Sequence, residues 1–349
     1  MLVNPPSRRP AEHPEWVQRV GAYTELPALL RMLGADPSAL LAAAGLAPDA
    51  LDRADGTVSF AALGRLFARA IEATGCPHVG VLTGRMWHLA DIGVVGEMVR
   101  HSPTLGDALR VLVVHHHLNC SGGLVYLLVR GNAVDLGYAI YAPRVEGAEA
   151  LCVAPLAAGR NYLTELLGPG SGPTEVLLPQ RRPADVAPYR ACFHVVPRFD
   201  AEAAALRFPA AWLARPIAGA DPARYRAARQ RADALGHGEL QQRLRRAIRI
   251  LMLSGEVSGE MAAQALELHR RTLNRRLKAQ GTTFQVILDE VRAEAACQLL
   301  EGTNTSLDDI ASSLGYASVS PFMRAFRRWT GNTPGSWRRD PSARVKPAA

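Results

Sequence analysis

At 349 residues, 48% of them hydrophobic and 21% charged, the chain is longer than one hydrophobic core usually serves and too apolar to stay disordered, so two folded domains are expected. The opening MLVNPPSRRPAEHPEW has two arginines with no apolar run behind them, and no later stretch approaches the ~18 uninterrupted apolar residues of a membrane span, which argues against a secretory signal or membrane anchor and predicts a cytoplasmic protein. The net charge of +8 is unevenly placed: from residue 240 onward 17 Lys and Arg face 10 Asp and Glu, whereas residues 1–239 hold 23 against 22, the footprint of a polyanion-binding domain joined to one with other work.

Residues 1–15 read as a disordered tail, as do 340–349, because Pro-rich polar sequence buries too little apolar area to order itself. Residues 16–218 then read as a mixed α+β domain. Between about 22 and 118 the period is helical, in LPALLRML, PSALLAAAG, VSFAALGRLFARAIEATG with Ser59 as N-cap and Gly75 as stop, and TLGDALRVLVVHHHL. The period then changes. GLVYLLVR and AVDLGYAIY, separated by Gly131-Asn132, predict a hairpin, a helix is expected from about Val145 to Leu167, and TEVLLP and ACFHVVPRF predict two further strands of a small sheet. The charged stretch at 219–238, ending in Gly-His-Gly, reads as a helical linker, and 239–339 as an all-α domain.

No motif in the first domain carries visible catalysis: there is no G-x-S-x-G, Walker loop, H-E-x-x-H or strand-following G-x-G-x-x-G, and no cofactor is expected. His115, His116 and His117 are consecutive, so on a helix they point in different directions and cannot chelate one ion together. Cys76, Cys120, Cys152, Cys192 and Cys297 are scattered singly, with no C-x-x-C pair, which fits buried reduced thiols rather than structural zinc or a redox centre.

The last hundred residues twice repeat the layout of a helix-turn-helix: a short support helix, a tight turn, and a second helix with an apolar inward face and long polar side chains outward. In SGEMAAQALEL followed by HRRTLNRRLKAQG, Leu273 and Leu277 face in and Arg270, Arg271, Asn274, Arg275 and Lys278 are left outside. In TSLDDIASSLG followed by SVSPFMRAFRRWTG, Ser306 and Asp309 stand at capping-box spacing and Gly315 at a helix stop. Phe322 and Phe326 face in there, Ser320, Arg324 and Arg327 face out, and Pro321 falls in the first turn, where its missing N–H costs little. Between the units Phe284, Ile287, Val291, Ala295 and Leu299 recur at helical spacing in a connector of roughly 27 Å. With the turns at each end it spaces two recognition helices about one DNA turn, ~34 Å, apart.

The run from about 240 to 338 resembles the DNA-binding domain of the AraC/XylS family of transcription regulators. The resemblance lies in RRTLNRRLKAQGTTF, VRAEAACQLL and DDIASSLGYASVSPFMRAFRRWTGNTPGSWR, where Ala311, Gly315, Tyr316, Phe322, Arg324, Ala325, Phe326, Gly331, Pro334 and Arg338 fall where that family's signature expects them. It implies base-reading positions at Arg271, Asn274 and Arg275 in the first second-helix and at Val319, Ser320 and Arg324 in the other. Arg270, Lys278, Arg327 and Arg328 are then the expected phosphate contacts, adding affinity without sequence information. Two departures predict a differently shaped first turn: Glu267 stands where the family usually has glycine, and His269 where a small N-cap is usual.

Residues 20–215 resemble the family's effector-binding module, through GLAPDAL, SPTLGDALRVL, LGYAIY, LLGPGSGPTEVLLP and PYRACFHVVPRFDAEAAALRFPAAWL, with Cys120 and Ser121 standing where a charged pair is expected. The implied function is a DNA-binding transcription regulator, of the activating kind, acting on promoter or operator double-stranded DNA and on RNA polymerase. It is controlled by a small organic effector whose binding residues the sequence does not name, with homodimerisation through the N-terminal domain an open addition. Two other readings stay open: an enzyme domain of the DNA-repair type fused to an AraC-type unit, and an architectural DNA-binding protein without an effector.

Overall fold

The computed structural model describes residues 16–140, 142, 145–235, 240–254, 257–266, 268–302 and 306–339. The expected tails, the Gly-His-Gly stretch and Glu267 lie outside these residues. The chain divides into two units, Met1–Leu235 and Gly236–Ala349.

In the first unit a short strand at Val17–Arg19 (β1) pairs antiparallel with Thr57–Ser59 (β2), a pairing the helical reading of this region did not anticipate. Helices follow at Leu26–Met32 (α1), Pro37–Ala44 (α2), Phe60–Thr74 (α3), Val79–Arg85 (α4), Val94–Arg100 (α5) and Leu105–His115 (α6). The expected caps of α3 are in place: Ser59 Oγ accepts from the Ala62 N–H at 3.4 Å, and Gly75 closes the helix in the left-handed region. The hairpin of Gly123–Arg130 (β3) and Ala133–Ile140 (β4) turns at Gly131, φ 58. Ala148–Leu167 (α7) then runs with Pro155 inside it.

The sheet order is β3-β4-β6-β5, antiparallel throughout, with Glu175–Leu177 as β5 and Ala205–Pro209 as β6. This corrects two expectations. The stretch 191–199 is not a strand: Ala187–Phe193 is a helix (α8), started by Pro188 in its first turn and stopped by His194 at φ 60. Tyr189, Cys192 and Phe193 are buried at helical spacing, so the apolar run that suggested a strand is one face of a short helix. The strand that fills the gap is ALRFP, where Ala205, Leu206 and Phe208 are all buried between β4 and β5. Pro222–Leu235 (α9) packs on α5 through buried Ala228 and Ala232, and Arg231 donates to Glu97 at 2.5 Å, so this part of the expected linker belongs to the first unit.

α4 and α7 approach unusually closely. Gly80 and Gly84, one turn apart on α4, lie against the backbone of Ala150 and Ala154 on α7. Their missing side chains let the two backbones meet, and this contact sets where α7 crosses behind the sheet.

The second unit is helical: Leu240–Ser254 (α10), Gly259–Ala265 (α11), Arg270–Ala279 (α12), Phe284–Gly302 (α13), Leu307–Ser313 (α14), Val319–Thr330 (α15) and Pro334–Arg339 (α16). It has two cores rather than one. The first gathers Leu244 and Ile248 of α10, Ala262 and Ala263 of α11, Leu273 and Leu277 of α12, and Ile287, Leu288 and Val291 of α13. The second gathers Ala296 and Leu300 of α13, Ile310 and Ala311 of α14, Leu314, and Phe322 and Phe326 of α15. The two ends of α13 therefore serve different cores, and its 19 residues at 1.5 Å each make a shared rod of roughly 28 Å. α10 is clasped to that rod by ion pairs, half-buried from Arg249 to Glu294 at 2.6 Å and from Arg245 to Glu294, and more exposed from Arg245 to Glu290.

Candidate nucleic-acid interface and cavity

The first helix-turn-helix is α11 and α12. Ser258 caps α11 by accepting the Met261 N–H at 3.2 Å. His269 caps α12: its Nδ1 accepts the Arg271 N–H at 3.2 Å, so an imidazole lone pair does the work of the expected serine hydroxyl and the helix start keeps a satisfied donor. Replacing His269 with alanine is expected to lower the stability of the second unit by about 0.5–2 kcal/mol, and His269→Ser to recover most of it, read from thermal unfolding. An alanine chain as stable as the parent would show that the cap carries no weight.

With Leu273 and Leu277 held in the first core, Arg271, Asn274, Arg275 and Lys278 are exposed on the other side of α12. Arg270 is exposed too, 3.6 Å from Glu260. Arg276, not singled out from the sequence, adds a further exposed guanidinium, and its place on the 3.6-residue period was the signal for it.

The second helix-turn-helix is α14 and α15. Ser306 Oγ accepts the Asp309 N–H at 3.1 Å and donates to its carboxylate at 2.6 Å. Gly315 then takes φ 76, the left-handed turn after α14. Phe322, Ala325 and Phe326 are buried, and Ser320, Arg324, Arg327 and Arg328 are exposed. Val319 is half-buried against the second core, so the side chain expected at a base edge is shared with packing. Arg328 donates to Asp289 of α13 at 3.0 Å, whereas no described carboxylate pairs with Arg271, Arg275, Arg324 or Arg327. Arg292 of α13 lies 4.9 Å from the Tyr316 ring, a cation–π contact that ties the rod to the second turn.

The first unit holds a cavity that is partly open to solvent. Its walls are the 18–23 segment, the turn at Asp91 and Ile92, the end of α6, β4, and α7 from Pro155 to Tyr162. Most of the lining is apolar, with a few polar groups, which is the make-up of a small-molecule site. Arg19 is half-buried, and its guanidinium donates to the Asp91 backbone carbonyl at 2.8 Å. Tyr23 and Tyr162 are buried, and desolvation raises the pKa of both phenols, so they remain protonated donors. Trp87 stands edge-on to Tyr23, centroids 4.7 Å apart, with its buried Nε1 unpartnered. His116 reaches this cavity, its ring 5.7 Å from that of Tyr138, while His115 and His117 stack on each other. No sequence motif marks these residues, because they come from separate segments and only the fold assembles them. The cysteines are buried or half-buried, and desolvation pushes the Cys152 and Cys192 thiols up to about 12, far from thiolate chemistry.

A cavity-bearing α+β unit followed by two helix-turn-helices on one rod defines a DNA-binding transcription regulator with an effector domain, and the chain belongs to the AraC family of transcription regulators. Residues 34–217 match the family described as the arabinose-binding domain of AraC transcription regulator, N-terminal, and residues 262–340 match a helix-turn-helix domain family. Among curated proteins, the chain is 32% identical over 337 residues to the ornithine utilization regulator of Pseudomonas aeruginosa, covering 92% of this chain and 96% of that one. It is 28% identical over 326 residues to the HTH-type transcriptional regulator VirS of Mycobacterium tuberculosis, covering 90% and 94%. Among solved structures, the transcriptional regulator CdpR of Pseudomonas aeruginosa aligns over 89% of this chain and 97% of that one, with TM-score 0.42 and 24% identity. These relatives and domains are regulators, not enzymes, and no described helix is long and apolar enough to cross a membrane.

Proposed function

We propose that α12 and α15 enter successive major grooves of one promoter site, with Arg271, Asn274, Arg275, Val319, Ser320 and Arg324 toward base edges and Arg270, Lys278, Arg327 and Arg328 toward phosphates. The unit through Leu235 binds a small organic effector, and its occupancy favours the state competent to grip DNA and engage RNA polymerase, which makes the protein an activator in the cytoplasm. Dimerisation through that first unit would bring two such grips to one promoter. Effector control of this kind requires different effector affinity in the two states.

The observation that supports the reading is the pair of exposed faces on α12 and α15, whose arginines at 271, 275, 324 and 327 are not engaged by described carboxylates while the opposite faces are locked into two cores strung on one helix. Guanidiniums left in this way keep their donors for guanine O6/N7 or phosphate.

The experiment is a footprint on the DNA flanking the chain's own gene, followed by binding assays on the protected site. Arg324→Ala is expected to weaken binding to that site by the worth of a bidentate base contact, about 1–3 kcal/mol, and to leave binding to random DNA nearly unchanged. Equal losses on both would reduce Arg324 to a phosphate contact. A chain with no preference for the protected site over random DNA would be the architectural binder instead.

A further inference from the structure

We infer that the cavity of the first unit takes a small organic carboxylate, its charged group on the Arg19 guanidinium and its apolar body against Leu136, Leu156 and Leu206. This deepens the effector reading above and rests on it.

The inference begins with what Arg19 lacks. A guanidinium carries five N–H donors, and a half-buried one without a counter-ion is costly unless an acceptor meets it. Its single hydrogen bond goes to a neutral acceptor, the Asp91 carbonyl at 2.8 Å. Asp91, which also lines the cavity, directs a carboxylate oxygen to the His88 N–H at 2.7 Å and forms no ion pair with Arg19. Asp55, near enough to feel the charge of Arg19, is paired with Arg53 at 3.3 Å.

The other polar groups of the cavity point to the same ligand chemistry. The Trp87 indole N–H is a donor only, buried and without a partner. The buried Tyr23 and Tyr162 side chains line the same cavity, and each hydroxyl has a proton to give. With the Asp91 carboxylate taken up by the His88 N–H, one cation among these neutral donors calls for an acceptor-rich group of single negative charge. The planar fork of arginine matches the two oxygens of a carboxylate. A phosphate monoester, with close to two charges, would find one guanidinium and no lysine among the lining residues.

Such a carboxylate could come from a plain organic acid or from an amino acid, and matched probes separate these. The full chain is titrated calorimetrically with 3-phenylpropanoate, L-phenylalanine and 3-phenylpropan-1-ol, and with octanoate and 1-octanol. In at least one set the acid is expected to bind ten-fold or more tighter than its alcohol. Arg19→Gln, which keeps a donor for the Asp91 carbonyl, is expected to erase that preference, and Tyr162→Phe to weaken acid binding several-fold with the alcohol unaffected. L-Phenylalanine binding above 3-phenylpropanoate supports the carboxylate and assigns it to an amino acid; the reverse order supports it and assigns a plain acid. Alcohols that bind as well as their acids, no acid binding in either set, or an Arg19→Gln chain that folds by circular dichroism and keeps the preference would overturn the inference. The footprint is measured on the same preparation, so an effector class that fails while DNA protection persists is distinguished from failure of the regulator reading.

Discussion

Gly84→Val is expected to destabilise the first unit by about 3 kcal/mol or more, at the upper end of what overpacking costs. A Cβ at this position would stand 2.1 Å from the Ala154 carbonyl oxygen and 2.7 Å from the Ala157 Cβ, and neither neighbour can rotate away. Removing a glycine from a helix returns at most about 1 kcal/mol, so the clash decides the sign even for Gly84→Ala. The damage should extend to the cavity, since Pro155, Leu156 and Tyr162 lie on the stretch of α7 that would be pushed away. Denaturant unfolding checks this, with Gly172→Ala as the control, because a Cβ at Gly172 meets nothing within 4 Å. A Gly84→Ala chain as stable as the parent would contradict the close helix pair.

Phe326→Ala is expected to abolish specific DNA binding, by more than 100-fold, although it removes no DNA-facing group. Truncating a fully buried phenylalanine costs about 3–5 kcal/mol. The second core is small, and Phe326 meets Phe322 and Trp337 edge-on at centroid distances of 5.8 and 5.7 Å, so few neighbours remain to close the hole. With a domain's whole margin only about 5–15 kcal/mol, α15 would then not be held in a single orientation. Fluorescence anisotropy on the footprinted site measures the loss, and Phe326→Leu should keep most of the affinity. Full affinity in the alanine chain would mean that this core does not position the second recognition helix.

The second unit was largely legible from sequence because its signals are local. Capping pairs such as Ser306 with Asp309, a left-handed Gly315, and inward pairs four residues apart at 273 and 277 or 322 and 326 each act within one or two turns. The first unit was less so where long-range packing overrides local pattern. ACFHVV has a strand-like composition, yet Pro188 and the burial of Tyr189, Cys192 and Phe193 make it helical, and ALRFP is a strand because β4 and β5 lie on either side of it. The cavity was not legible at all: Arg19, Trp87 and Tyr162 are far apart in the chain, on separate elements that only the fold brings together. His269 shows the converse, an unexpected residue type that satisfies the same backbone donor through a different atom.

Because α13 lends its first half to one core and its second half to the other, it also acts as a phase-setter. One amino acid inserted between Val291 and Ala296 would leave both cores intact in composition, yet twist one against the other by about 100° and lengthen their separation by about 1.5 Å. The length of this helix should therefore resist insertions and deletions far more strictly than its exposed side chains resist exchange, and on the proposed mode of binding the DNA spacing the protein accepts would be set by a count of residues.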